Sequence, residues 1–214
     1  MEIMVMLAED HRVMRDGLRH LLDMQENIRV VGVADNGRMA VSLAEKCVPD
    51  VIIMDVAMPD LNGVDATRQI LERCDKTRIL ALSMHSDSQF ILGIVKAGAS
   101  GYLLKDCSFE ELLQAIRAIA AGRTYFGSEI AGSVINECLR NVRVDVGTCR
   151  ELTGREREVL QLLAEGKSSN QISRLIGIHE RTVDVHRHKI MNKLNIRSVA
   201  ELTKYAIREG LTSL

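Results

Sequence analysis

The chain has 214 residues, 46% of them hydrophobic and 3% aromatic with no Trp, so its core must be aliphatic and its length fits one large domain or two small ones. The net charge of −1 hides a segregation: residues 1–149 carry 16 Lys+Arg against 21 Asp+Glu, and residues 150–214 carry 12 against 8. Unless surface charge has segregated by chance, a basic part beside an acidic one fits nucleic-acid contact by the smaller part.

Strands are expected at Ile3–Ala8, Val30–Ala34, Val51–Asp55, Ile79–Ser83 and Gly101–Leu104, each an apolar run. Amphipathic stretches separate them, marked by Val13, Leu18, Leu21 and Leu22, then Ala40, Val41, Leu43 and Ala44. Ala66, Ile70 and Leu71, then Ile91, Ile94 and Val95, and finally Leu112, Leu113, Ile116 and Ile119 complete the series. Five β-then-α units read as an α/β fold with a doubly wound, five-stranded parallel sheet. Ser108 with Glu111 forms a capping box for the fifth helix, and Gly98 and Gly122 stop the fourth and fifth.

Residues 128–150 change character. Ser128 opens a helix carrying Ile130, Val134, Ile135 and Leu139, and 141–150 shows no helical repeat. The expected division is therefore 1–127, a helical and flexible linker at 128–150, and an all-α domain at 151–214. Thr153 and Glu156 form a second capping box, Gly166 ends that helix, and Gly177 turns between two further helices. The longer of these runs from about Glu180 to Leu194, and Ser198 caps a last one to about Glu209. Two helices joined by a Gly-containing turn, the second rich in cations, form a helix-turn-helix.

Five Cys, none spaced as CxxC, argue against a disulfide framework or a zinc site. They fit free thiols in a reducing, cytoplasmic compartment. The first apolar run is too short for an export signal, and no run reaches membrane-spanning length.

Chemistry concentrates at the strand ends. Glu9-Asp10 follows the first strand, Asp55 ends the third, Ser83 ends the fourth and Lys105 follows the fifth. In an open parallel sheet all of these lie along one edge, where such folds place their sites. The cluster suits a Mg²⁺ ion held by Asp10 and Asp55, with Glu9 acting through water and the Ala57 carbonyl adding an oxygen. Asp55 would be the phosphoacceptor, and Lys105 and Ser83 would meet phosphoryl oxygens. No GxxxxGK[ST] or GxGxxG occurs, so kinase and dehydrogenase readings lack their glycine loop.

Glu9-Asp10-His11, Asp55-Val56-Ala57-Met58-Pro59 with Gly63, Ala81-Leu82-Ser83, and Ala97 to Asp106 resemble a response-regulator receiver domain. Leu152 to Leu160, with Gly166, Ile172, Thr182-Val183, His186, Ile190, Lys193-Leu194 and Arg197, resembles a LuxR-type helix-turn-helix. Together they resemble the NarL/FixJ class of two-component transcription factors. The resemblance implies a flavodoxin-like receiver that takes a phosphoryl group on Asp55 from a sensor histidine kinase. It also implies a switch in which Ser83 moves toward that group and Tyr102 changes rotamer. The protein would assist only its own phosphorylation and dephosphorylation, and would control transcription through double-stranded DNA.

On the 180–194 helix, Val183, His186, Ile190 and Leu194 share a core face, and Arg181, Asp184, Val185, His188, Lys189 and Asn192 point away. Arg181, Lys189 and Lys193 are expected to hold phosphates, with Ser168, Asn170 and Thr182 as further contacts at helix starts. His188 would reach a base edge and Val185 a thymine methyl. Asp184 departs from the family's usual Lys or Asn; it would repel phosphates but could accept from a cytosine amino group. His179 replaces a usual Ser or Thr cap, so that cap is expected to be weaker.

A homodimer on DNA is implied, with Val199, Leu202, Tyr205 and Ala206 of the last helix facing either the core or a partner. Two other classes compete: an adaptor whose tail binds protein, and a hydrolase using Asp10 and Asp55. Steep salt dependence of duplex binding separates the first, and multiple turnover of a phosphoester the second. In the unphosphorylated chain the receiver is expected to mask the recognition helix or the dimer face.

Overall fold

The structure, a computed structural model, describes residues 2–84, 88–127, 130 and 152–212, with backbone alone at Ser88 and Gln89. The chain divides into two compact units, Met1–Val144 and Asp145–Leu214. The linker helix and connector expected at 128–150 lie outside the described residues, apart from Ile130.

The first unit runs β1 (Ile3–Ala8), α1 (Arg12–Asp23), β2 (Ile28–Ala34), α2 (Gly37–Cys47), β3 (Val51–Asp55), α3 (Gly63–Leu71) and β4 (Arg78–Ser83). It continues with α4 (Ser88–Lys96), β5 (Gly101–Leu104), α5 (Phe109–Ala120) and β6 (Tyr125–Phe126). The strands are all parallel, in the order β2-β1-β3-β4-β5-β6. The five expected strands are present, and the two-residue β6 extends the edge. Its first amide and the one that follows it pair with carbonyls of β5 and its approach, Tyr125 to Ser100 at 3.1 Å and Gly127 to Tyr102 at 3.1 Å. Too short to show a period, β6 leaves no trace in the sequence pattern, but it covers part of an open edge.

Strand alternation builds two apolar layers. Met6, Ile52, Met54, Ile79, Ala81 and Tyr102 face Ala40, Ala66, Ile70, Ile91 and Ile94. Val5, Leu7, Ile53, Leu80, Leu82 and Leu103 face Leu22, Leu112, Ile116 and Ile119. Each large aliphatic side chain so buried contributes roughly 1.5–3 kcal/mol. A strand sandwiched between helices therefore reads as one continuous apolar run, and polar groups are expelled to its ends.

Local backbone chemistry fixes where the helices start. Asn36 and Asn62 cap α2 and α3 through the amides of Met39 and Asp65, both at 2.9 Å. Ser108 accepts from the Glu111 amide at 3.1 Å, which is one half of the expected box; the reciprocal bond is absent among the described hydrogen bonds. Gly98 and Gly122 take φ of 102° and 83°, values that only glycine adopts freely, and stop α4 and α5. Gly63 matters for another reason: a Cβ there would collide with the Asp55 carbonyl. The start of α3 packs on the backbone of the residue that ends β3.

The second unit is all helical: α6 (Gly154–Ala164), α7 (Ser169–Ile176), α8 (Glu180–Leu194) and α9 (Val199–Arg208). Thr153/Glu156, Ser168/Gln171 and Ser198/Glu201 form full capping boxes at α6, α7 and α9. Gly177, at φ 66°, turns the chain between α7 and α8. Leu160, Leu162, Ile172, Val183, Ile190, Leu202 and Ala206 form the core. Arg155 adds a tie, its guanidinium donating to the Ile176 carbonyl at the end of α7 at 2.6 Å.

Candidate functional site

Because β1, β3, β4 and β5 are parallel, the residues at their C-terminal ends converge on one edge. β1 lies between β2 and β3, so the chain reverses its winding direction beside β1 and opens a crevice there. Lys105 Nζ lies 2.8 Å from Asp55 Oδ2 and 2.8 Å from Glu9 Oε2. All three side chains are at least nine-tenths buried, Lys105 at 5% exposure, Glu9 at 4% and Asp55 at 2%. The Ala57 amide donates to Asp55 Oδ1 at 3.1 Å, so the turn after β3 also orients that carboxylate. Ser83 is fully buried at the end of β4, and Tyr102 fully buried in β5.

Asp10 is the most open of the three acids, with its side chain 30% exposed. His11 Nδ1 lies 3.0 Å from both Glu9 Oε1 and Asp10 Oδ1, but only the first contact has hydrogen-bond geometry. Asp10 Oδ1 is thus a buried oxygen with no hydrogen-bond partner. Arg15, one turn into α1, donates to the carbonyls of Glu9 and Asp10 at 2.8 and 3.2 Å and fixes the loop.

Burial of Asp55, reinforced by the Glu9 carboxylate, pushes its carboxyl up to about 7 from an ordinary 3.8, against the opposing pull of Lys105. Burial draws the Lys105 ammonium down, but its hydrogen bonds to Asp55 and Glu9 prevail and leave it above its usual range. The edge holds more negative charge than one ammonium neutralises. Cys107 does not compete as a nucleophile, since burial holds its thiol up to about 11.

On α8, Arg181, Thr182, Val185, His188, Lys189 and Asn192 are exposed, Val183 and Ile190 are buried, and His186 and Leu194 are half-buried. His179 Nδ1 accepts from the Arg181 amide at 3.3 Å and so provides the N-cap, a long bond from a group that accepts only when unprotonated. Asp184 accepts from Ser169 Oγ at 3.0 Å. Ser168 is committed to its capping box, and Asn170 lies 3.5 Å from Glu180 Oε2. Lys193 has a different partner from the phosphate expected for it: its Nζ lies 2.6 Å from Oε2 of the buried Glu156. That ammonium serves its own domain.

Comparison with known proteins decides the family. The response regulator receiver domain pattern matches residues 5–117, and the pattern of bacterial regulatory proteins of the luxR family matches 150–206. The chain is 34% identical to the transcriptional regulatory protein DegU of Brevibacillus brevis, over 98% of this chain and 94% of that one. It is 35% identical to the transcriptional regulatory protein MctR of Rhizobium johnstonii, over 99% and 96%. A LuxR-family two-component response regulator from Aurantimonas sp. SI85-9A1, of known crystal structure, is 37% identical with a TM-score of 0.61, over 65% of this chain and 99% of that one. The chain belongs to the two-component response regulators with a LuxR-type DNA-binding domain. It controls transcription and is not an enzyme in the ordinary sense.

The receiver pocket of this response regulator fits a hard divalent cation. Glu9, Asp10, His11 and Asp55 each offer a ligand atom within 4.8 Å of the others, and the unpartnered Asp10 oxygen is a ready ligand. His11 and Arg15 are the residues that reading the strand ends overlooked. His11 directly follows the acidic pair and Arg15 stands one helical turn beyond His11, so their spacing was available as a signal. No described helix is long and apolar enough to cross a membrane.

Proposed function

We propose that Asp55 is the phosphoacceptor of this response regulator, that a sensor histidine kinase is the donor, and that phosphorylation controls recognition of duplex DNA by α8. The observation that carries this reading is the buried Lys105 ammonium, 2.8 Å from both Asp55 and Glu9. An ammonium held there can also meet an oxygen of a phosphoryl group on Asp55.

An Asp55 carboxylate oxygen forms the new P–O bond as the donor's P–N bond breaks, and the leaving imidazole takes a proton. Asp10 and Asp55, with the Ala57 carbonyl, would hold Mg²⁺, and Glu9 would act through water. When bound, the ion neutralises charge on the transferring oxygens and favours the ionised form of Asp55. Lys105 meets one phosphoryl oxygen, and this also draws it away from Asp55. Ser83, at the end of β4, donates its hydroxyl to another. Drawing Ser83 inward shifts β4 against β5, and Tyr102, enclosed with Ile91 and Ile94, repacks in response.

In the second unit Arg181 and Lys189 hold phosphates, with Thr182 beside them. Val185 touches a thymine methyl, and His188 faces a base edge. Ser168 and Asn170 lie at the N-terminus of α7, where a phosphate is favoured. A homodimer supplies two half-sites, since one short reading helix contacts few base pairs.

Duplex binding by the full chain, before and after treatment with a small phosphodonor and Mg²⁺, tests this. Binding should tighten on phosphorylation and fall steeply with salt. Equal binding by both forms would contradict the control proposed.

A further inference from the structure

An acid stands on the cationic face of α8. A carboxylate brought against a duplex is repelled by phosphates, so Asp184 must be compensated by a partner. Its Oδ1 accepts from Ser169 Oγ at 3.0 Å and lies 3.5 Å from an Arg187 guanidinium nitrogen. Ser169 belongs to α7 and Arg187 to α8, so both helices of the helix-turn-helix fix this carboxylate. The Asp184 side chain is still 42% exposed, and no described hydrogen bond engages Oδ2.

One turn along, His188 Nδ1 lies 2.7 Å from the Asp184 carbonyl oxygen. A carbonyl only accepts, so Nδ1 donates to it and the ring is held beside Asp184. Arg181, Val185 and Lys189 around this pair are exposed. The centre of the strip therefore presents the Asp184 carboxylate, flanked by cations.

Donors on base edges in the major groove are the amino groups of cytosine and adenine. Adenine sets its N7 acceptor beside that amino group, which repels the second oxygen of a carboxylate. Cytosine sets a C–H there. Guanine and thymine offer only acceptors, and a desolvated carboxylate facing them is left unpaired.

We propose that Asp184, positioned by Ser169, reads the amino group of a cytosine and makes one C·G pair a requirement of the operator. The proposal rests on α8 as the DNA-reading helix. It is tested on the full chain by selecting bound duplexes from a random-sequence library, then changing each base pair of the selected sequence in turn. Wild type should lose roughly tenfold in affinity when that one C·G pair is replaced. Asp184→Ala should lose this discrimination and keep it at other positions. Asp184→Asn should move the preference toward adenine, and Ser169→Ala should weaken the same discrimination severalfold.

Two outcomes overturn the proposal alone. If Asp184→Ala tightens binding to every sequence equally, Asp184 merely repels phosphates. If it weakens binding to every sequence equally, Asp184 merely braces α8. A wild-type chain that enriches no sequence overturns the DNA-reading role of α8 as well.

Discussion

Lys193 Nζ lies 2.6 Å from Glu156 Oε2, across 37 residues of sequence, and ties the far end of α8 to the first turn of α6. Glu156 also accepts from the Thr153 amide at 2.8 Å, so one buried carboxylate both caps α6 and anchors α8.

Replacing Lys193 by Met leaves that carboxylate buried without its cation and should cost roughly 1–3 kcal/mol at pH 7. Burial alone raises the Glu156 carboxyl, but bonds from Lys193 and Thr153 outweigh it and hold it below its usual range. A lowered carboxyl stabilises the fold above the unfolded-state value and loses that contribution as pH falls through the folded value. The cost of Lys193→Met should therefore shrink toward pH 3. Urea unfolding at both pH values measures it, and an equal cost at both counts against the pairing.

Asp55 carries the opposite sign. Its carboxyl is raised to about 7, so the fold binds more protons than the unfolded chain between 3.8 and that value. Stability of the metal-free protein should fall as pH rises through this window and level off above it. Asp55→Asn removes the effect, and should melt several degrees above wild type at pH 8 without gaining at pH 4. Mg²⁺ should raise the wild-type melting temperature more than that of the variant. Equal responses to Mg²⁺ would place the cation elsewhere.

Lys105 is expected to matter for transfer more than for cation binding. Lys105→Ala removes a charge from beside Glu9 and Asp55, so calorimetry should find Mg²⁺ bound at least as tightly as in wild type. Transfer should nevertheless slow by about a hundredfold, the order lost with one donor to developing negative charge. A variant that binds Mg²⁺ more weakly would show that Lys105 acts by assembling the pocket.

Much of this was legible in the sequence. Apolar runs that end in Asp55, Ser83 or Lys105 announce both the strands and the edge they share, because burial on both sheet faces leaves no other place for a charge. Gly98, Gly122 and Gly177 were readable from backbone sterics. What the sequence pattern did not contain were relationships between elements. Helical periodicity puts Lys193 seven residues after His186, at the margin of the core face, but does not say that α6 brings Glu156 against it. The Ser169–Asp184 bond depends on the crossing of α7 and α8, and β6 on an edge two residues long. His179 caps α8 through Nδ1 in place of the usual hydroxyl, by a long bond of 3.3 Å that fits the weaker cap expected there.

On the function proposed, Asp55 takes the phosphoryl group. Treating the full chain with a small phosphodonor and Mg²⁺, then locating the label by peptide mass mapping, tests it directly. One acid-stable, base-labile label is expected on the peptide that contains Asp55, absent without Mg²⁺ and absent from Asp55→Asn. A label of the same extent on that variant, or on a peptide without Asp55, would contradict it.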